Sequence, residues 1–320
     1  MPLDRDERTV KALGPDGPIL LRPGDGAYAE AVKLAGETGE IPSSMIVPGQ
    51  ATRLGPSVRR VTAPNPSFMT GPGTNSYLLG HGDDIAIVDP GPANEAHIDA
   101  LLAHAGGKIR SILVTHTHPD HSPAAAILKE RTGARLYGMA PPKLDLQDQS
   151  FAPDRPLRHG DRFEAGGMRL RAIHTPGHAS NHICYLLESE QIVFTGDHVM
   201  QGSTVVINPP DGDMRAYLDS LALLRAEKAT YLAPGHGYLI GEPDDLIERL
   251  VRHRLFRESK TLNALRSKDG GTLEELVPRV YDDVSADRHR VASRSLLAHL
   301  IKLREDGLAV EAGGNWKAAA

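Results

Sequence analysis

Thr115-His116-Thr117-His118-Pro119-Asp120-His121 places three imidazoles and a carboxylate within six residues. The apolar run Ile112-Leu113-Val114 precedes it and reads as a buried strand. Such a strand delivers the cluster to a strand end, where the chain turns and Pro119 stiffens it. His116 and His118 are two apart, so in extended backbone their side chains point the same way. Asp120 and His121, beyond the proline, are able to face another point. The spacing therefore suits two adjacent metal ions better than one, and imidazole nitrogen with carboxylate oxygen suits zinc.

Three further segments share this grammar. Thr175-Pro176-Gly177-His178 follows the run Met168–Ile173, Thr195-Gly196-Asp197-His198 follows an apolar run, and Pro234-Gly235-His236-Gly237 follows Tyr231-Leu232-Ala233. Each sets one ligand-type residue beside a glycine at a strand end, where glycine permits a tight turn. Upstream, the segment Asn65–Gly80 reads as a loop entering a strand, and Asp84–Asp89 as a strand ending in Asp89-Pro90-Gly91. Helices are expected from Asn94, a plausible N-cap, to Ala105, over Ala124–Arg131 and over Met214–Ala226. Strands are expected at Arg135–Gly138, Met168–Ile173, Ile183–Leu187 and Ile192–Thr195. Strands and helices alternate through two successive halves, each with polar residues just past its strand ends. That pattern predicts an α/β sandwich with a site along one sheet edge.

The 320 residues are 40% hydrophobic and 24% charged, which is globular and ample for a sizeable core. The net charge of −5 argues against non-specific polyanion binding by the whole molecule. Cys184, the only cysteine, lies in the apolar run Ile183–Leu187, so it reads as a buried thiol in a reducing compartment. No secretory signal and no membrane-length apolar run is visible. A soluble, cytoplasmic protein is the expectation.

Three domains follow from composition. Residues 1–50, Gly/Pro-rich with one helical patch near Ala27–Ala35, read as an extension packed on the main domain, 51–245. Residues 246–320 form a small module. Within it, residues 252–305 carry twelve Lys/Arg against eight Asp/Glu, a local +4 that leaves the remainder near −9. Helices are expected over about Pro243–Ser267, from Thr272 (with Glu275 at capping-box spacing) to about Asp282, and over Ala286–Glu305. The last places Leu296, Leu300 and Leu303 on one face, and Gly307 ends it. A hairpin around Gly313-Gly314 completes a winged-helix pattern.

With these motifs in this order, the chain resembles the metallo-β-lactamase superfamily over roughly Pro64 to Gly241. The resemblance implies that superfamily's αββα four-layer sandwich. It also implies that His116, His118 and His178 hold one zinc, that Asp120, His121 and His236 hold the second, and that Asp197 bridges them. Asp89 matches an aspartate that supports the site without ligating; His174, His182 and His198 read as structural neighbours. Antibiotic-degrading members that share the His-x-His-x-Asp-His motif carry a cysteine where Asp197 stands, which argues against true β-lactamase activity. The flavin-linked di-iron members carry a glutamate where His118 stands.

What remains is hydrolysis: two zinc ions sharing a hydroxide that clamp an in-line displacement, with Asp120 orienting the nucleophile or moving its proton. Iron or manganese in place of zinc stays open. No Gly-x-Ser-x-Gly elbow is present. Over its whole length the chain resembles the lactamase β-like protein 2 branch, whose animal members are endoribonucleases. That resemblance, with Arg288, Arg290, Arg294, Lys302 and Arg304 as phosphate contacts, favours single-stranded RNA as the substrate. The alternatives are a thioesterase or esterase resembling glyoxalase II, and a nucleic-acid-binding module on an inactive hydrolase. No membrane partner is expected, and homo-oligomerisation is left open.

Overall fold

The computed structural model describes residues 45–267 and 270–319, which form two compact units. The helical patch expected at Ala27–Ala35, with most of the 1–50 extension, lies outside the described residues.

The first unit takes in the chain up to His174, Asn181–Ser203 and Ala229–Pro243. Its seven-stranded sheet runs in sequence order: β1 (Ala51–Arg53), β2 (Val58–Thr62), β3 (Asn75–His81), β4 (Asp84–Val88), β5 (Ile109–Leu113), β6 (Arg135–Gly138) and β7 (Arg155–Pro156). The first four strands pair antiparallel; from β4 onward the pairs are parallel. Parallel neighbours need crossovers, and helices α1 (Glu95–Ala105) and α2 (Ala124–Thr132) supply two. Asn94 caps α1 by accepting from the His97 N–H at 3.0 Å, and Gly106, at φ 65°, ends it.

The second sheet has the order β12-β11-β10-β9-β8, with β8 (Arg162–Ala165), β9 (Met168–His174), β10 (Ile183–Leu187), β11 (Ile192–Gly196) and β12 (Tyr231–Pro234). Only β11 and β12 pair parallel in it. Side-chain alternation assembles the layers. Tyr77, Leu79, Ala86, Val88 and Leu113 enter a core shared with Phe163, Tyr185, Phe194 and other residues of the second sheet, so the sheets pack face to face. Their sequence neighbours Leu78, Ile85, Ile87 and Ile112 point the other way, onto Ile98 and Leu101 of α1 and Leu128 of α2. Cys184 is fully buried in this unit.

The second unit comprises Thr175–Ser180, Thr204–Lys228 and Asp244–Ala320. It contains α3 (Met214–Ala226), α4 (Pro243–Arg266), α5 (Leu273–Val280), a 3-10 turn (Ala286–Arg288), α6 (His289–Glu305) and a three-stranded sheet. That sheet has the order β13 (Gly271–Thr272), β15 (Asn315–Ala318), β14 (Ala309–Ala312). The boundary expected at 245/246 falls inside α4, and residues 175–180 and 204–228 group with the C-terminal unit. Thr272 and Glu275 form the reciprocal capping box of α5. Leu296, Leu300 and Leu303 close on Leu265, Leu276, Val280 and Trp316, the core of a winged helix.

Five of the module's cations are engaged within the second unit. Arg257 makes a two-pronged pair with Asp283 at 2.6 and 2.8 Å and lies 4.6 Å over the Tyr281 ring. Buried Arg254 bonds the Val205 carbonyl and stacks on Tyr217. Lys260 pairs with Asp282, Arg279 donates to the Gly270, Ala264 and Ser267 carbonyls, and Lys302 reaches Glu258 and Asp306 at 3.0 and 2.9 Å. Among the described residues no helix is long and apolar enough to cross a membrane.

Candidate metal centre

Four strand ends of the first unit meet at the site. Directly after β4, Asp89 adopts φ 50°, a left-handed conformation that few non-glycine residues take. It accepts the Thr115 N–H and Oγ1–H, both at 2.7 Å, and the His121 Nδ1–H at 2.9 Å. One carboxylate thus pins the start of the histidine loop and fixes the tautomer of His121, leaving Nε2 as its ligand atom. Past Pro119 the chain turns tightly, with the His121 N–H donating to the His118 carbonyl at 3.0 Å.

His121 Nε2 faces Asp197 Oδ1 at 3.3 Å and Asp120 Oδ2 at 3.6 Å. His236 Nε2 faces the same two oxygens at 3.2 and 3.3 Å. The ligand atoms of His116, His121 and Asp197 lie within 4.8 Å of one another, as do those of Asp120, His121 and His236. The His118 ring stands edge-on to His116, centroids 4.6 Å apart. The glycines of the strand-end motifs are dictated by this crowding. A Cβ on Gly235 would sit 2.6 Å from Asp197 Oδ1, and one on Gly196 2.5 Å from Thr115 Oγ1.

His178 belongs to the second unit, on the Thr175–Ser180 turn. Gly177 before it has φ 141°, and a Cβ there would meet the Tyr217 Cα at 2.4 Å. The His178 Nδ1–H donates to the Val206 carbonyl at 2.8 Å, which fixes the tautomer and leaves Nε2 as the lone-pair atom.

Burial and charge compete here. Burial disfavours charge on His121, yet Asp120, Asp197 and Asp89 outweigh it and hold the imidazole well above its ordinary value. His236 is likewise raised to about 9 against burial, by Asp197 and Asp120. Burial opposes ionisation of Asp120, but His121 and His236 hold it down at about 2; Asp197 is held well below the usual range by the same pair. His116 is pushed well down by burial and by its histidine neighbours, so it is neutral and ready to ligate. The carboxylates draw positive charge into a buried spot lined with imidazole nitrogens, and that donor set fits a divalent metal ion.

Sequence reasoning missed the struts of the site. Thr117, between two of the histidines, donates Oγ1–H to Gln147 Oε1 at 2.5 Å and accepts from Asn181 Nδ2 at 2.7 Å. His236 Nδ1 lies 3.2 Å from the Gly73 carbonyl, and Thr74 bridges His236. These partners are far apart in sequence and carry no spacing signature. The buried rings of His182 and His198 lie behind His116, with His182 stacked on it at 5.0 Å.

The metallo-beta-lactamase superfamily matches residues 69–236, and the beta-lactamase associated winged helix domain matches residues 272–316. An atrochrysone carboxyl ACP thioesterase of Aspergillus chevalieri is 34% identical over 79% of this chain and 83% of its own. A beta-lactamase-like protein 2 homolog of Drosophila melanogaster is 32% identical over 80% of this chain and 90% of its own. Among solved structures, a metallo-beta-lactamase family protein from Thermus thermophilus shares 26% identity and covers 83% of this chain and 100% of that one, with a TM-score of 0.71.

Proposed function

The chain belongs to the metallo-β-lactamase superfamily and is a metal-dependent hydrolase, and from that premise we propose that it cleaves an acyl thioester with two divalent metal ions, zinc first among them. His116, His118 and His178 are assigned to one ion, Asp120, His121 and His236 to the other, and Asp197 to both. Bound there, the pair supplies Lewis acidity toward a carbonyl oxygen and makes water a nucleophile at neutral pH.

The residues of the chain do the rest. Asp89 and the Gly73 carbonyl hold His121 and His236 by their Nδ1 atoms, so both rings present Nε2 in fixed orientation. Asp120 has the more open side chain of the two site carboxylates, which lets it orient the attacking water and take its proton. A thiol leaves as thiolate near its ordinary pKa of about 8.5, so the leaving group needs no general acid.

The observation that carries the thioester over the phosphodiester is the engagement of five cations of the basic stretch by partners within the second unit. Lys302, which the sequence offered as a phosphate contact, is held by Glu258 and Asp306, and four other cations of the basic stretch are likewise engaged. The thioesterase relative supports the same reading. A second reading, cleavage of single-stranded RNA, is favoured by Arg288 and Arg290, which are exposed at the start of α6. The test is a panel of N-acetylcysteamine thioesters and a short unstructured RNA, with His118→Ala as the control for contaminating activity. Thioester turnover above that control is expected. RNA cleavage above it, with thioesters untouched, would reverse the assignment.

A further inference from the structure

We propose that two apolar lips, Phe68–Met69 and Leu144–Leu146, flank the metal centre and hold the acyl chain of the substrate; this rests on the thioester reading above. In the described first unit, four large hydrophobic side chains are exposed: Phe68 at 66%, Met69 at 47%, Leu144 at 37% and Leu146 at 63%. They fall on two loops, one hydrogen-bonded to the segment of His236 and the other to the segment of His116 and His118.

The first loop, residues 65–73, is built to be stiff. Ser67 Oγ accepts the Met69 and Thr70 N–H groups at 3.1 and 3.0 Å. Thr70 Oγ1 donates to the Asn65 carbonyl at 2.6 Å, and the Asn65 amide grips Thr74 through Nδ2 and Oδ1, each at 2.9 Å. The loop ends at Gly73, whose carbonyl meets His236. Its polar side chains thus turn inward on the loop's own backbone while Phe68 and Met69 face solvent.

The second loop is anchored at Thr117, between His116 and His118. Gln147 takes the Thr117 hydroxyl, and the Asp148 N–H donates to the Thr117 carbonyl at 2.6 Å. One residue before Gln147, Leu146 sits at φ 66°, a conformation that costs a leucine energy and persists only when its surroundings impose it. A strained backbone and an exposed apolar side chain therefore coincide beside the clamp on the histidine loop.

The chemistry of the lips selects the occupant. Residues 66–73 contain no charged side chain, and in the second lip Lys143 and Asp145 cancel. A phosphate chain finds no net positive charge there, whereas a hydrocarbon or aromatic acyl group finds four apolar side chains. Two patches of two residues each are too small for a second copy of the chain, which needs about 800 Å² per partner.

The test reads binding apart from turnover. Acetate, hexanoate and decanoate, the acids that acyl hydrolysis releases, are titrated into the metal-loaded protein by calorimetry. Each methylene that reaches the lips adds up to about fourfold in affinity, so with about two to three methylenes covered decanoate should bind about thirtyfold tighter than acetate. Leu146→Asn, which suits a left-handed backbone, and Phe68→Ser should each cost decanoate about tenfold and leave acetate binding and metal content unchanged. Leu146→Gly, which relieves the backbone without adding a polar group, should behave like Leu146→Asn. Equal affinity for acetate and decanoate, or variants that keep the wild-type preference, would overturn the lips. Failure of the thioesterase reading shows separately, as absence of turnover in the substrate panel.

Discussion

Asp89 shows how much one residue holds. It ligates nothing in the assignment above, yet it accepts from Thr115 twice and from His121 once. Asp89→Asn keeps the shape, removes the charge and turns one acceptor into a donor facing His121. Metal affinity should fall about 10- to 100-fold, as is usual when such a supporting group is changed, while the fold persists; competition with a chelator checks it, and an unchanged affinity would mean that Asp89 matters only for folding. His97 is a second informative residue. It is fully buried with a ring nitrogen 2.9 Å from Ser76 Oγ, and burial pushes it down to about 4. Its unfolded value is about 6.5. Between those values the unfolded chain binds a proton that the folded chain refuses, so stability is full above about pH 6.5 and declines as pH falls toward 4. The loss is on the order of 3 kcal/mol, from 1.36 kcal/mol per unit. His97→Gln, which keeps a hydrogen-bonding group toward Ser76, should flatten that decline in urea titrations at pH 7 and pH 5; an unaltered pH dependence assigns the effect to other groups.

Among the elements, those with periodic or capping signals were legible. Asn94 marks the start of α1, and the Thr272–Glu275 spacing marks α5, whose box forms with the Thr272 N–H donating to Glu275 Oε2 at 2.9 Å. Thr272→Ala should therefore cost about 1 kcal/mol, read as a lower unfolding midpoint with thioester turnover at low temperature unchanged; no loss would mean that the helix start is held by tertiary packing alone. The strand ends were legible because ligand-type residues beside glycine recur there. Strand β2 was not, because Val58-Arg59-Arg60-Val61-Thr62 carries two arginines where a buried strand ought to be apolar. The structure resolves the conflict locally: Arg59 donates to the His104 and Ala105 carbonyls, ending α1, and fully buried Arg60 lies over Tyr238 with a bond to the Met45 carbonyl. Strand β8 hid for another reason: in Arg162-Phe163-Glu164-Ala165 only Phe163 and Ala165 turn inward. Thr117, Gln147 and Asn181 were invisible because their partnership spans 30 and 64 residues of separation, which local pattern cannot register.

For the whole molecule, the question is what its charge permits. The sequence places a local +4 in residues 252–305 against about −9 elsewhere, and taken alone that asymmetry invites a polyanion. The folded chain answers differently, because Arg254, Arg257, Lys260, Arg279 and Lys302 are engaged by partners within the second unit. Of the five phosphate contacts offered by sequence, Lys302 is withdrawn and four remain candidates, with Arg304 over the Trp316 ring at 5.6 Å. The acidic remainder opposes RNA at long range, though screening confines that field to about 8 Å at physiological salt. Single-stranded binding weakens with salt at a log–log slope of about −0.7 per neutralised phosphate, so four contacts allow a slope no steeper than about −3. Anisotropy of a labelled unstructured RNA between about 50 and 200 mM salt measures it. Reversing charge at both Arg288→Glu and Arg290→Glu should remove whatever RNA binding exists and leave thioester turnover within about twofold, since neither side chain has a part in the proposed chemistry. A slope well beyond about −3, together with RNA cleavage that falls in the double variant while thioesters stay untouched, would make the winged helix a substrate-binding surface and return RNA to first place.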